Sequence, residues 1–301
     1  MGQAVLSALL SVVIPAAIVV LAGYLAGKRL ELDLSTLTKL TLYILSPALI
    51  VDSMLNTELP AREGLSIVLA FAIATGILFL VVALIAHFGR LPLPVRTSLL
   101  ASTLFPNTGN LGLSLTLLAL GQEGLQRAIV TYLASAVLVF GFGPALVSGQ
   151  GLRRGIKTTI RLPLMWGLVL GIVLRALNIE IPLGIDDGIH LLAQAAVPVL
   201  LITLGMQISR TRFAPGSSDF FTSALRLGGG PIAAYAAGRI VGLDHLAMQV
   251  FVLQCATPTA VNALLVAAEF GGDSSRAARA VVLSTILAFG TLPIVMWLMG
   301  I

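Results

Sequence analysis

The amino-acid sequence predicts an all-α polytopic membrane protein in which ten transmembrane helices form two inverted five-helix repeats. Apolar residues make up 57% of the 301 residues and charged residues only 10%, and the mean hydropathy is +1.02. In a soluble domain about a quarter of the residues are charged and cover its surface, so this composition excludes a soluble domain. Apolar runs of about 20 residues, the length of a membrane-spanning helix, recur along the whole chain.

Ten such spans follow one another with only short loops between them. Dividing the chain by a span plus a short loop, about 30 residues, also gives ten helices. The first apolar run is long enough to span and has no basic segment before it, so we expect a membrane helix and not a cleaved signal. The predicted spans are 4–27, 34–55, 64–87, 95–120, 124–148, 160–178, 187–208, 219–241, 244–269 and 276–300.

The distribution of lysine and arginine predicts the orientation in the cell (inner or plasma) membrane. One alternate set of loops and helix ends carries thirteen of these residues and the opposite set carries four. Because basic residues concentrate on the cytoplasmic side, both termini are predicted outside the cytoplasm and the basic loop 150–161 inside it. The net charge of +5 comes from these scattered residues, so no nucleic-acid partner is expected.

An internal repeat divides the chain into the halves 1–150 and 151–301. Pro106 and Asn110 in span four have the same spacing as Pro258 and Asn262 in span nine, 152 residues further on. Five spans per half is an odd number, so equivalent helices run in opposite directions, as in many secondary transporters. Further matches at similar offsets pair Pro15 with Pro163, Gly23 with Gly171, Pro47 with Pro198 and Arg127 with Arg279.

Both Pro-x-x-x-Asn segments predict a helix that is broken in the middle of the membrane. Proline removes a backbone donor and clashes with the preceding turn. The freed amides and carbonyls need a partner in hydrocarbon, which protein, water or a ligand can supply. The N-terminal end of a broken helix suits an anion and the C-terminal end suits a cation. The alternative interpretation is a plain kink, with asparagine as a polar contact between helices.

Four segments at these positions resemble the auxin efflux carrier family, which includes bacterial permeases and the PIN-FORMED auxin exporters of plants. They read LSPAL at 45–49, PNTGNLGL at 106–113, VPVLL at 197–201 and TPTAVNA at 257–263. The resemblance covers essentially the whole chain. It implies that spans 1, 2, 6 and 7 form a scaffold that makes a homodimer. Spans 3–5 and 8–10 would form a transport domain that moves in an elevator-type cycle, with spans four and nine crossing at their breaks.

Substrates of such carriers are small organic anions, such as auxin, malate or malonate. Carried over by motif position, the resemblance assigns the substrate site to Pro106, Asn107, Thr108, Gly109, Asn110, Pro258, Thr259, Ala260 and Asn262. Candidate coupling or pathway residues are Asp52, Gln254, Ser46, Pro47 and Pro198. No cofactor or metal site is expected, and the spans contain no dense acidic cluster of the kind that would favour sodium coupling.

Several polar residues within the spans leave two interpretations open. Asp52, near the outer end of span two, is either a proton-coupling site or a hydrated side chain. Arg226, about seven residues into span eight, either attracts an anionic substrate or, as we predict, extends to the cytoplasmic headgroups. Headgroup anchoring is also predicted for Arg127 and Arg279. Gln194, Gln207 and Gln254 either line the pathway or, as we predict, form polar contacts between helices. Tyr132 is predicted to lie at the membrane interface or to pack between helices and not to form a binding cage.

These features together predict a secondary transporter of a small organic anion. An ion-coupled carrier of a neutral solute or amino acid is the first alternative. A channel or signalling membrane domain is the second, although no filter loop or charged ring is visible in the sequence. An intramembrane enzyme is not expected, because neither Gly-x-Ser-Gly nor His-Glu-x-x-His occurs in the chain.

Overall fold

The computed structural model of the chain describes residues 9–57, 59–143, 156–157, 159–177, 179, 181–182, 184–211 and 214–301. This described part is helical, and its β-structure is one isolated bridge between Pro106 and Thr259. Six of its helices are long and apolar enough to cross a membrane. The prediction of an all-α polytopic membrane protein is therefore confirmed. Most of the basic loop 150–161 and residue 212, on which the predicted orientation partly depends, lie outside the described residues.

The described part of the first half contains the helices α1 to α5. α5 turns sharply at Gly121, whose φ of 63° and ψ of −158° suit glycine. The segment of α5 before this turn completes predicted span four, and the segment after it corresponds to predicted span five. The helices are α1 (Leu10–Arg29), α2 (Leu34–Leu55), α3 (Ala61–Phe88), α4 (Leu93–Leu104) and α5 (Thr108–Phe142).

The described part of the second half contains the helices α6 to α11. Asp244 and Asp273 cap α9 and α11 by accepting the amides of Ala247 at 2.8 Å and Arg276 at 3.0 Å. The π-helical turn Leu225–Gly229 lies in the middle of α8. The helices are α6 (Pro163–Ala176), α7 (Ile185–Ser209), α8 (217–241), α9 (His245–Cys255), α10 (Asn262–Glu269) and α11 (Ser274–Met299).

Large apolar side chains lie exposed on the outside of these helices. Ile18 of α1 is 61% exposed, Leu65 of α3 is 70% exposed and Ile232 of α8 is 72% exposed. In water such a surface would lead to aggregation, whereas in a bilayer the lipid chains cover it. The exposed surface thus agrees with the membrane class that composition predicts.

Two close helix contacts occur between helices that the predicted repeat would relate to each other. α1 packs along α7, where Gly23 and Gly205 let the two backbones touch. α2 packs along α6, where Gly171 provides the space for Met54. Small residues allow such close approach between membrane helices. The sequence repeat equates α1 with α6 and α2 with α7, so one contact is the counterpart of the other.

Two ion pairs also occur at helix ends that the predicted repeat would relate to each other. Arg127 Nε of α5 donates to Glu63 Oε1 of α3 at 2.6 Å, and Arg279 Nε of α11 donates to Asp219 Oδ2 of α8 at 2.6 Å. The arginine side chains are only 15% and 27% exposed. Headgroup anchoring is therefore the wrong prediction for both arginines, because each one turns onto an acid of the protein.

The mutation Asp219→Asn is expected to lower the free energy of unfolding by about 2 kcal/mol, and Glu63→Gln is expected to lower it by less. The Asp219 carboxylate is fully buried and also accepts the amide of Gly216 at 2.9 Å, whereas the Glu63 side chain is 15% exposed. Water can therefore replace the partner of Glu63 more easily than that of Asp219. Unfolding of the two purified variants in mixed micelles checks this order, and an equal loss would contradict the role of burial.

Candidate functional site

The break between α4 and α5 lies against the break between α9 and α10. The extended backbone of the first break pairs with that of the second as an antiparallel bridge. Asn107 N donates to Pro258 O at 2.8 Å, and Ala260 N donates to Phe105 O at 2.8 Å. Proline fixes its own φ and disfavours helix at the preceding residue, which explains why Pro106 and Pro258 interrupt their helices. The two breaks therefore supply hydrogen-bond partners for some of each other's backbone amides and carbonyls.

Two threonines of the second break bond the carbonyl groups that the breaks leave free. Thr259 Oγ1 donates to Ser102 O at the end of α4, at 2.7 Å. Thr257 Oγ1 donates to Gln254 O at the end of α9, at 2.6 Å. Both threonines are fully buried. The side chains of the motif thus serve first to satisfy helix ends, as burial in hydrocarbon requires.

Arg226 of α8 reaches the same two helix ends. Its Nη1 donates to Thr103 O at 2.6 Å, and its Nη2 donates to Cys255 O. The residue is only 1% exposed. The prediction that Arg226 extends to the headgroups is therefore wrong. The side chain turns inward, where two carbonyl groups without helical partners accept hydrogen bonds from its guanidinium.

The opposite ends of the broken helices face a cavity. Residues 106–110 and 260–262, which lead into α5 and α10, line it. The amides of Thr108, Gly109, Val261 and Asn262 find no acceptor within the described residues. The first amides of a helix carry partial positive charge and lack partners inside the helix, so they suit an anion.

The cavity has a volume of about 140 Å³ and an uncharged lining in the described part of the chain. Its far wall comes from α2, α6 and α7, and Asn110 Nδ2 of α5 reaches Gln207 Oε1 of α7 at 3.5 Å. An anion in this cavity would therefore be held by amides and neutral side chains. The polar side chains from the rest of the wall are Thr38, Thr41, Ser46, Tyr132, Ser135, Thr203 and Gln207.

The cavity collects eight of the residues that the sequence assigns to the site or pathway: Ser46, Pro106, Asn107, Thr108, Gly109, Asn110, Ala260 and Asn262. Thr259 is buried in the bridge, and Pro258, whose carbonyl accepts Asn107 N, is buried next to it, so neither residue lines the cavity. Gln254 is also buried away from it, and its Nε2 donates to Thr116 Oγ1 at 3.0 Å, which joins α9 to α5. Pro47 and Pro198 lie outside the lining.

Asp52 lies in a different and larger cleft of about 560 Å³. Its Oδ1 is 3.1 Å from His190 Nδ1 and accepts Asn56 Nδ2 at 3.3 Å. Asp186 and Asp187 line the same cleft. Any coupling role of Asp52 would thus act from this cleft and not from the lining of the cavity at the two breaks.

Tyr132 and Gln207 line the cavity, although the sequence predicts packing roles for them. The Tyr132 ring lies beneath Gly109, where a Cβ atom would come within 2.9 Å of the ring. Their residue types gave only a weak signal, because an aromatic or amide side chain within a span more often packs between helices. Their positions opposite the broken segments depend on tertiary structure.

Comparison with known proteins points to one family. Residues 152–296 match a family model described as a membrane transport protein. An uncharacterized transporter from Methanothermobacter thermautotrophicus is 28% identical over 92% of this chain and 94% of its own. A protein of Rhizobium meliloti named "Putative malonate transporter" is 24% identical over 89% of both chains. An uncharacterized transporter from Methanocaldococcus jannaschii is 25% identical over 96% of this chain and 97% of its own.

Proposed function

We propose that the chain is a secondary transporter that carries a small organic anion, because residues 152–296 match the membrane transport protein model and relatives of similar length are named as transporters. The substrate would bind in the cavity at the crossing of the two broken helices. The observation that carries this proposal is the convergence of two helix N-terminal ends on one cavity, with four amides that find no acceptor in the described part of the chain. Such ends bind anions without the desolvation cost of a buried cationic side chain.

The proposed architecture is a ten-helix membrane domain of two inverted repeats, residues 1–150 and 151–301. Three pairs of equivalent features support it: the bridged breaks, the glycine contacts of α1 with α7 and of α2 with α6, and the ion pairs of Glu63 and Asp219. Repeats of this kind place the substrate site at their interface. A homodimer and termini outside the cytoplasm complete the proposal.

Alternating access would come from an elevator-type movement of one part of each repeat against the other. Spans 1, 2, 6 and 7 would form the scaffold, and spans 3–5 and 8–10 the transport domain. The composition of the cavity wall supports this division, because α2, α6 and α7 supply one part of the lining, and the two broken segments together with residues 132–140 of α5 supply the other. A substrate bound there would be released when the two sides separate.

The size of the cavity favours a substrate of a few carbon atoms. Its volume of about 140 Å³ is well below the roughly 300–1,000 Å³ of sites for drug-sized ligands. A small mono- or dicarboxylate therefore suits the site better than an indole ring, and the name of the Rhizobium meliloti relative agrees with this class. The uncharged lining favours one alternative, an ion-coupled carrier of a neutral solute or amino acid.

Uptake into proteoliposomes tests the proposal with a panel of labelled mono- and dicarboxylates, indole-acetate, amino acids and neutral solutes. We expect saturable uptake of a small carboxylate and at least a tenfold loss in the double variant Asn110→Ala, Asn262→Ala, because two hydrogen-bonding side chains leave the cavity. Ser66→Ala removes a polar side chain of α3 that lies outside the cavity and bonds Arg62 O of its own helix, so this variant should transport normally.

Each alternative gives a different result in the same assay. Unchanged uptake in the double variant would refute the site at the crossing. Uptake restricted to neutral solutes or amino acids would favour the alternative substrate class. Flux that fails to saturate would indicate a channel instead of a carrier.

A further inference from the structure

We propose that the guanidinium of Arg226 is a resident cation of the crossing, which neutralises the C-terminal ends of α4 and α9 in place of a coupling metal ion such as sodium. This inference concerns the opposite side of the crossing from the anion cavity. It goes beyond the proposed function, because it assigns a positioning residue and a coupling property that substrate binding alone does not require.

The surroundings of Arg226 contain no counter-ion of the usual kind. The residue is 1% exposed, and in the described part of the chain no carboxylate lies within 4 Å of its guanidinium. A buried charge without a partner is very costly. The acceptors that Arg226 does have are Thr103 O and Cys255 O, two carbonyls in the last turns of α4 and α9.

The charges of these partners balance that of the guanidinium. A helix C-terminal end carries about half a negative elementary charge, so two ends that meet supply about one. The two Nη atoms of one planar guanidinium bond one carbonyl from each end, which a compact lysine ammonium on a flexible stem matches less well. Arg226 thereby ties a helix of the first repeat to a helix of the second.

The protein provides a fitted space for this side chain. Arg226 lies in the π-helical turn of α8, and Gly230 lies one turn further along. A Cβ atom on Gly230 would overlap both the guanidinium and Cys255 O. Because residue 230 is a glycine and has no side chain, the arginine can reach the end of α9.

In many transporters, unwound carbonyls and the C-terminal ends of half-helices coordinate sodium ions or protons. Arginine remains protonated at any physiological pH and cannot leave the protein. The carbonyl groups of this crossing are thus permanently occupied, and transport should not require sodium at this place. The bound guanidinium would also keep the two broken helices together when they move.

Thermal unfolding in detergent tests the proposal without any substrate, so its result is independent of the anion assignment. The wild type, Arg226→Ala, Arg226→Lys and Arg226→Met are each measured in choline, sodium and methylguanidinium chloride at equal, millimolar concentration. We expect the melting temperature of the wild type to be the same in all three salts. Arg226→Ala should melt lower in choline and recover with rising methylguanidinium concentration, because this cation refills the vacated space.

The other two variants separate charge from packing. Arg226→Lys should retain more stability than Arg226→Met, which fills the space without a charge and should not respond to methylguanidinium. A wild type that sodium stabilises in a concentration-dependent way would overturn the proposal, as would an Arg226→Ala variant that methylguanidinium does not stabilise. If Arg226→Ala cannot be purified folded, the order of the lysine and methionine variants decides, and a methionine variant equal or superior to lysine would refute a role of the charge.

Discussion

Gly205→Ala is expected to lower the free energy of unfolding by about 3 kcal/mol, although it adds a single methyl group. A Cβ atom on Gly205 would overlap backbone atoms of Val20 and Tyr24 in α1. Backbone cannot move aside as the end of a flexible side chain can, so α1 and α7 would have to separate along their contact. Because dispersion contacts between close-packed helices are a main source of stability in a bilayer, this separation is costly.

Gly188→Ala is the matched control, because it makes the same chemical change in the same helix. A Cβ atom on Gly188 would meet nothing within 4 Å. Alanine is favoured over glycine in a helix by up to about 1 kcal/mol, so this variant should be as stable as the wild type or slightly more stable. Melting of both variants in detergent checks the prediction. Similar melting temperatures for the two would show that the helices do not touch through backbone at Gly205.

The breaks of the two crossing helices could be predicted from the sequence because their causes are local. Proline acts on its own φ, its own missing amide and the residue before it, so Pro106 and Pro258 interrupt a helix wherever it packs. The occurrence of the motif in both halves also predicts that the two breaks lie next to each other, since equivalent segments of inverted repeats face each other. The bridge between Pro106 and Thr259 agrees with this reasoning.

The partners of the charged side chains could not be predicted, because they are distant in sequence. Arg226 bonds a carbonyl 123 residues earlier and another 29 residues later. Arg127 and Glu63 are 64 residues apart, and Arg279 and Asp219 are 60 residues apart. A sequence gives the depth of an arginine in a span but not whether it turns toward lipid headgroups or toward a helix end. The two carbonyls that Arg226 bonds come within reach of one guanidinium only after the two breaks have come together.

The same limit applies to the neutral residues of the cavity. Gln207 and Gln254 are the same residue type in comparably apolar helices, yet Gln207 lines the cavity and Gln254 bonds Thr116 inside the bundle. The difference depends on which face of each helix meets the broken segments. Hydrophobic periodicity reveals that face poorly in a membrane protein, because the lipid side and the core side are both apolar.

Gly230→Ala is expected to reduce uptake at least tenfold and to lower the melting temperature, although it does not replace Arg226 itself. The new methyl group would occupy space that the guanidinium and Cys255 O now use. Arg226 would have to withdraw from the end of α9, and a buried carbonyl and a buried charge would lose their bond. Uptake of the substrate that the proteoliposome panel identifies, together with melting in detergent, measures both effects.

Gly228→Ala, two residues earlier in the same turn of α8, is the control for this experiment. A Cβ atom on Gly228 would meet nothing within 4 Å, so the variant should transport and melt like the wild type. Wild-type uptake by Gly230→Ala would mean that the bond from Arg226 to the end of α9 is dispensable. Loss of uptake in Gly230→Ala with a retained melting temperature would be the most informative outcome. It would show that the guanidinium must hold both helix ends for the transport movement, because a merely structural contact would affect stability first.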